Sequence, residues 1–292
     1  MLYKLYNHRI YIPEDISHLG IPLASDNSAK DITIYFSTDT KKHNFLDNQF
    51  ELNDDYGFYY RKHIGFFEFL NGESISIQLE GNKDPSFFQT LFNFPFACIF
   101  AQNGFLPIHA SAVRYNGKTI LFPGITKKGK SSLAALLIKL GGKLITEDIA
   151  LFRIDKNECK VLCSYPLIKL SDEINNEIEF STQQPFKLTK SDLSRSMYKL
   201  KMKDFFNQES QVNFVIFPNW SNDNELKSLS LKESLIKMIS CTFFTTQIEN
   251  LKKYTLNNNL KIIKEAKCFE YKRARDLRKL KSFKNKIEDI FD

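Results

Sequence analysis

Eight consecutive residues of the sequence have the types and spacing that hold a nucleotide phosphate. They are Gly124-Ile125-Thr126-Lys127-Lys128-Gly129-Lys130-Ser131, which fit the pattern G-x-x-x-x-G-K-[ST]. In this pattern backbone N–H groups surround a phosphate, the lysine reaches the terminal phosphates and the hydroxyl binds Mg²⁺. The motif therefore predicts a nucleotide site that extends through Ser132, with Lys130 on phosphate and Ser131 on the metal.

Two adjacent carboxylates, Glu147 and Asp148, form a second group with catalytic potential. They follow residues 143–146, a predicted strand in the unit after the motif. A Mg²⁺ ion needs hard oxygen ligands, and a hydroxyl that accepts a phosphoryl group needs a carboxylate to take its proton. The pair is therefore predicted to supply a metal ligand and a base.

The motif needs a strand before it and a helix after it, and the sequence supplies both. Residues 119–122 are an apolar run typical of a strand, and residues 131–140 have the pattern of an amphipathic helix that ends at Gly141-Gly142. Residues 106–115 indicate another strand, which an Asn-Gly turn joins to the strand that precedes the motif. Residues 85–104 predict one buried apolar helix. The class is α/β, with a phosphate loop.

The two ends of the chain differ from this middle part. Residues 1–88 predict a β-rich module with a hairpin at Asn71-Gly72, and residues 89–292 predict the phosphate-loop domain. Residues 256–269 are interpreted as a further strand. Residues 272–292 have the pattern of an amphipathic basic helix, which either packs its apolar stripe on the body or offers a basic surface to a polyanion.

Composition and charge exclude several classes of protein. Hydrophobic residues make up 42% of the chain and charged residues 26%, as in a soluble globular protein. Residues 251–292 carry 13 Lys and Arg against 6 Asp and Glu, which accounts for the whole net charge of +7. The rest of the chain is balanced in charge, which argues against a nucleic-acid partner. The five cysteines lack metal-site spacing and predict reduced, buried thiols. With no signal-peptide pattern and no apolar run of membrane-spanning length, the sequence predicts a cytoplasmic protein.

Three segments resemble the catalytic core of HPr kinase/phosphorylase. They are Leu106-Pro-Ile-His-Ala-Ser-Ala-Val, Gly124 to Ala134 with its Gly-Lys-Ser-Ser, and Gly142-x-Leu-Ile-Thr-Glu-Asp; Tyr165-Pro-Leu-Ile-Lys-Leu resembles the segment that follows. The resemblance spans about residues 90–240 and is greater to the HPr-kinase-related enzymes of peptide biosynthesis clusters, including lasso-peptide serine kinases. It implies the fold shared with phosphoenolpyruvate carboxykinases and ATP-dependent phosphorylation of a serine hydroxyl.

The resemblance also assigns roles to individual residues. It places His109 beside the nucleotide phosphates, and it makes Glu147 the base with a metal contact and Asp148 a metal ligand. Arg195 corresponds to the family's loop arginine, which would neutralise charge on the transferring phosphoryl group.

Three positions depart from the family's pattern. Lys127 stands where glycine is common, and a side chain there costs about 1–2 kcal/mol if φ stays positive, so a different loop shape is one outcome. Glu147 replaces an aspartate and is one methylene longer. Ser132 replaces an acidic residue of HPr kinase itself, which argues against phosphorylase activity.

The sequence therefore predicts a kinase that uses ATP and Mg²⁺ to phosphorylate a serine of a peptide or protein, such as a ribosomally made precursor peptide. A homo-oligomer is compatible with this reading. Three alternatives stay open: a kinase of a small molecule such as free serine, an ATP-binding regulator without transfer activity, and an ATPase that uses the basic tail to bind nucleic acid.

Overall fold

The structure is a computed structural model of the chain. It describes residues 1–24, 29–38, 44–155, 158–180, 186–187, 195–276 and 282–291. Within these residues the protein is a mixed α/β structure with three sheets.

The first 79 residues build a seven-stranded sheet. Its strands are β1 (Leu2–Leu5), β2 (His8–Tyr11), β3 (Ala29–Phe36), β4 (Phe50–Leu52), β5 (Tyr56–Arg61), β6 (Gly65–Leu70) and β7 (Ser74–Leu79). Their order in the sheet is β1-β2-β3-β7-β6-β5-β4. Strands β6 and β7 pair antiparallel across Asn71-Gly72, which confirms the predicted hairpin. Strand β3 pairs parallel with both β2 and β7, so the sheet is mixed.

The remaining strands form an eight-stranded and a three-stranded sheet. They are β8 (Leu106–Tyr115), β9 (Lys118–Pro123), β10 (Lys143–Thr146), β11 (Ile149–Ile154), β12 (Cys159–Val161), β13 (Leu167–Ser171), β14 (Phe186–Lys187), β15 (Arg195–Lys199), β16 (Phe214–Trp220), β17 (Glu225–Ser228) and β18 (Lys267–Arg273). The larger sheet has the order β12-β11-β8-β9-β16-β18-β17, with β10 also on β8, and the smaller has the order β13-β15-β14. Strands β9, β16 and β18 run parallel, so their carboxyl ends share one edge.

Seven helices connect or cover these sheets in the described part of the chain. They are α1 (Pro85–Leu91), α2 (Phe94–Gln102), α3 (Lys130–Lys139), α4 (Asp172–Ile178), α5 (Leu231–Ile239), α6 (Glu249–Glu265) and α7 (Phe283–Glu288). Short 3-10 turns cover Ser17–Leu19 and Met202–Asp204. No described helix has both the length and the apolar character needed to cross a membrane.

The predicted helix over residues 85–104 is wrong as a single element. Two helices, α1 and α2, replace it, and Phe92 and Asn93 between them are not helical. Pro95 lies in the first turn of α2, where its missing N–H removes no intrahelical hydrogen bond. Asn93 therefore stands at a helix junction instead of within a helix.

Two predictions for the carboxyl-terminal part are wrong over most of their length: of the strand predicted over 256–269, only residues 267–269 belong to a strand, β18. Residues 256–265 belong to α6, whose buried residues recur at helical spacing; two of them, Thr255 and Asn259, are polar, so a hydrophobic pattern misses the stripe. Lys272 and Arg273 belong to β18, so the basic helix predicted over 272–292 does not begin there. Its described helical part is α7; residues 277–281 and 292 of that prediction lie outside the described residues.

One hydrophobic core runs through the N-terminal sheet and the phosphate-loop part. Tyr6, beside β1, packs its ring against Phe96 and Phe100 of α2 and against Tyr165. Side chains thus pack across the predicted boundary between residues 88 and 89. All five cysteines are free and buried.

Candidate active site

The phosphate-loop motif joins the end of β9 to the first turn of α3. The backbone N–H of Gly124 donates to the carbonyl oxygen of His109 at 3.0 Å, which fixes the start of the loop on the neighbouring strand β8. Gly129 is the N-cap of α3 and has a left-handed φ of 90°. The N-terminus of α3 therefore directs its unpaired N–H groups toward the loop, an arrangement that favours an anion.

Lys127 has a left-handed backbone conformation, which glycine adopts most readily. Its φ is 68°, so the lysine carries the strain expected of a side chain in this region. Trp220 Nε1 donates to the Lys127 carbonyl oxygen at 2.8 Å, and Lys128 Nζ donates to Asn219 Oδ1 at 2.9 Å. These two hydrogen bonds tie the middle of the loop to the end of β16.

The Lys130 side chain is buried beneath the loop. Its Nζ donates to the Ile125 carbonyl oxygen at 3.3 Å and lies 3.1 Å from His109 Nε2. Burial lowers the pKa of Lys130, and the charges of Asp148 and Glu147 act in the opposite direction. The ammonium group is therefore close to both carboxylates. It is already positioned beneath the loop, where a phosphate would bind.

Glu147 lies in the tight turn between β10 and β11 and is 4% exposed. Its carboxylate accepts two hydrogen bonds, from Ser111 Oγ at 2.7 Å and from Ser131 Oγ at 2.5 Å. Burial, reinforced by the charge of Asp148, raises the pKa of Glu147 to about 7. The hydroxyl of the motif and the first acid of the pair are thus in direct contact.

Asp148 is the more exposed acid of the pair and turns toward the cavity beside the loop. Its Oδ1 lies 2.9 Å from His109 Nε2, and Asn93 Nδ2 donates to Oδ2. Burial alone would raise the pKa of Asp148, but the hydrogen bond and charge of His109 outweigh it and lower the pKa. Asp148 is therefore ionised at neutral pH, whereas Glu147 is partly protonated there because its pKa is about 7.

His109 connects Lys130 with Asp148 through one ring nitrogen. Nε2 carries either a proton or a lone pair, so it donates to Asp148 or accepts from Lys130, and the two contacts are alternatives. When His109 donates to Asp148, Lys130 loses that acceptor and is available to another anion.

A cavity of about 480 Å³ opens between the phosphate loop and the N-terminal sheet. The loop contributes Thr126, Lys127, Gly129, Lys130, Ser131 and Ser132 to its lining. Arg195, the first residue of β15, lies on the same cavity with His109 and Asp148. The structure thus brings His109, Asp148, Arg195 and most of the loop to one cavity, whereas Glu147 does not line it and contacts the loop through Ser131.

Three residues of the motif lie outside this lining: Gly124, at the start of the loop, Ile125 and Lys128. The Ile125 side chain is 56% exposed, and only its carbonyl oxygen takes part, by accepting from Lys130. Lys128 points to Asn219 at the end of β16. Ile125 and Lys128 shape the loop instead of facing the cavity.

Sequence reasoning missed several residues of the site. Asn93 and Ser111 bind the two carboxylates, and Asn48, Tyr59 and Arg61 of the N-terminal part line the cavity. Of these, only Ser111 had a signal, since it lies two residues after His109 in the segment that carries the resemblance. The others come from segments that are distant in sequence and carry no motif.

No group of three or more His, Cys, Asp or Glu side chains in the described residues could hold a metal ion alone. The available oxygen donors are the Glu147 and Asp148 carboxylates and the Ser131 hydroxyl. Mg²⁺ commonly takes one or two carboxylates together with substrate phosphates, so this donor set fits a metal that arrives with a nucleotide.

Comparisons with known proteins leave the function to be argued from the site. No protein-family model and no curated protein matches the chain. Among solved structures, the HPr(Ser) kinase/phosphatase from Coxiella burnetii matches 63% of this chain and 93% of its own, with 11% identity and a TM-score of 0.31. At this TM-score and identity, the likeness does not define the activity of this chain.

Proposed function

We propose that this protein is an ATP-dependent kinase that transfers the γ-phosphoryl group to the serine hydroxyl of a peptide or protein. The observation that carries the proposal is the 2.5 Å hydrogen bond from Ser131 Oγ to Glu147 Oε1. It joins the hydroxyl that ligates Mg²⁺ in phosphate-loop enzymes to an acid at the end of the next strand in the sequence. Asp148, the adjacent acid, faces the cavity.

The phosphate loop would bind the nucleotide through backbone N–H groups and Lys130. Ser131 and Glu147 would hold Mg²⁺ together with oxygens of the phosphates. Bound there, the metal would neutralise charge on the phosphoryl oxygens. Ionisation of Glu147 would accompany metal binding, since its pKa of about 7 leaves it partly protonated without a cation.

The geometry favours Asp148 over Glu147 as the group that orients the acceptor's hydroxyl. Both Glu147 oxygens are held by serine hydroxyls, whereas Asp148 faces the cavity where an acceptor can enter. This exchanges the two roles that the resemblance implies. A carboxylate that stays ionised orients a hydroxyl well, as the catalytic aspartate of protein kinases does.

His109 and Arg195 would complete the charge distribution around the transferred group. His109 holds Asp148 in place through Nε2. Arg195 lies on the cavity wall, where a guanidinium can neutralise charge that develops on the phosphoryl oxygens. Most of the acceleration would then come from positioning and electrostatics.

The N-terminal sheet would form the acceptor side of the cavity. Asn48, Tyr59 and Arg61 line it and offer amide, hydroxyl and guanidinium groups. Such groups hydrogen-bond the backbone of a peptide, which supports a peptide or protein acceptor.

A second candidate acceptor is a small hydroxy acid such as free serine. Lys169 and Arg195 line the cavity near Asp148 and could pair with the carboxylate of a free amino acid. Competition between serine and a serine-containing peptide for ATP turnover separates the two acceptors.

Mass spectrometry of peptides tests the proposal. Serine-containing peptides and a cell lysate are incubated with Mg·ATP and wild-type protein, Lys130→Ala or Asp148→Asn, with Lys118→Ala as a control at the exposed start of β9. We expect one added phosphate with wild type and the control, and none with the other two. ATP binding without any phosphorylated product would favour a regulator over a kinase.

A further inference from the structure

Arg273, the last residue of β18, is a buried cation beside the phosphate loop. It is 1% exposed, and burial lowers its pKa to about 10, so the side chain is still charged at neutral pH. Among the described residues, none of its side-chain nitrogens Nε, Nη1 and Nη2 has a hydrogen-bond partner. A buried, unpaired charge is costly, and such groups in native proteins call for a counter-charge or a ligand.

The guanidinium of Arg273 contacts the loop directly. Its Nη2 lies so close to Gly129 that a Cβ at that position would overlap it. Its Cζ lies 4.2 Å from the centre of the Trp220 ring, and the Trp220 indole N–H in turn holds the Lys127 carbonyl. Arg273 is therefore packed against one end of the loop and, through Trp220, against its middle.

The strand order places Arg273 and the acid pair on opposite flanks of the loop. The loop follows β9; Glu147 and Asp148 follow β10, which pairs with β8, whereas Trp220 and Arg273 end β16 and β18 on the other side. One flank thus carries two carboxylates and the other an uncompensated positive charge. A polyphosphate seated in the loop would supply the anion that the second flank lacks.

We propose that Arg273 is a positioning residue of the phosphate site: it packs the loop through Gly129 and Trp220, and its uncompensated charge is neutralised when the phosphates of a nucleotide bind. The inference rests on the proposed nucleotide site and concerns binding, not transfer.

Replacing Arg273 with an apolar side chain of similar length should maintain or raise the stability of the protein and should weaken phosphate binding. Arg273→Met removes the buried charge, so the ligand-free protein should be as stable as wild type or more stable, since replacing a buried charge with an apolar group is often neutral or stabilising. The same change removes the attraction to phosphate, so affinity should fall about tenfold or more. A side chain with only a structural role would lower stability and leave affinity unchanged.

The experiment titrates the full-length protein with inorganic tripolyphosphate and with ATP, each in Mg²⁺. Trp220 is the only tryptophan of the chain, so its fluorescence reports on the loop directly. The variants are Arg273→Met, Arg273→Lys and the control Arg275→Met, which removes an exposed arginine 5.6 Å from the same ring. Thermal unfolding without ligand gives the stability of each.

We expect Arg273→Met to bind tripolyphosphate about tenfold or more weakly without loss of melting temperature. Arg273→Lys should keep most of the affinity, and Arg275→Met should stay within about twofold of wild type. Equal losses in the Met and Lys variants, or in Arg275→Met, would overturn the inference, as would a destabilised Arg273→Met variant with wild-type affinity. Absence of tripolyphosphate binding by wild type would refute the phosphate site itself, while phosphate transfer is measured separately.

Discussion

The protonation of Glu147 provides a prediction with a definite sign. Its pKa is about 7 in the folded protein against 4.5 for the unperturbed group, because burial and Asp148 both disfavour the ionised form. The unfolded chain therefore loses this proton as pH rises through about 4.5, while the folded chain keeps it until about pH 7. Stability should fall over this window and level off above it.

The size of this effect follows from the difference between the two pKa values. A shift of about 2.5 units corresponds to about 3 kcal/mol in the free energy of unfolding. Glu147→Gln mimics the protonated acid, so it should match wild type near pH 4.5 and exceed its stability by up to this amount at pH 8. Chemical denaturation of both proteins across this range measures the difference.

The matched control is Glu51→Gln, which replaces an exposed carboxylate of β4. It should leave the wild-type dependence on pH unchanged. If the stability of Glu147→Gln followed that of wild type at every pH, the raised pKa of the buried Glu147 carboxyl would be refuted. A variant less stable than wild type at pH 8 would show that the ionised form is favoured by its two serine donors.

Two further substitutions test the charge and the backbone of the site. Arg195→Ala should lower kcat by about 10²–10³-fold with little change in ATP affinity, measured by steady-state kinetics and equilibrium titration; a change in affinity alone would contradict a role in transfer. Gly129→Ala should cost more stability than Gly141→Ala, because both have a left-handed φ, 90° and 99°, but only Gly129 lacks room for a Cβ. Equal melting temperatures for the two alanine variants would show that Arg273 moves aside freely.

The strand, loop and helix around the motif could be predicted because each signal is local. The apolar run before Gly124, the amphipathic run after Lys130 and the Asn116-Gly117 turn each lie within a few residues of the structure they specify. The position of Glu147 and Asp148 directly after β10 could also be predicted from the local sequence. Short-range patterns of this kind survive in the folded protein because tertiary contacts reinforce them.

The residues that complete the site could not be predicted because they arrive through long-range pairing. Arg273 lies in a run of basic residues whose apolar spacing favours a helix, yet parallel pairing with β16 makes it a strand residue opposite Trp220. The pairing depends on two segments about fifty residues apart. Burial of Arg273 follows from that pairing, and nothing in its own sequence neighbourhood indicates it.

The break between α1 and α2 places Asn93 in contact with the acid pair. A continuous helix over residues 85–104 would have left Asn93 as one more polar residue on a helix. Because the helix breaks there, the Asn93 amide donates to Asp148. The break thus places a polar amide against a carboxylate of the candidate site, a long-range contact that no local pattern indicates.

The N-terminal sheet contacts the turn that carries the acid pair. The hydroxyl of Tyr6 donates to the carbonyl oxygen of Ile149 at 3.3 Å, one residue beyond Asp148. In β5, next to the opposite edge strand of the same sheet, Tyr59 and Arg61 line the cavity that Asp148 also lines. The turn that carries the acid pair is held from one side by the sheet and faces it on the other. A phosphoryl acceptor bound in this cavity would therefore lie against Tyr59 and Arg61, which would contribute to its selection.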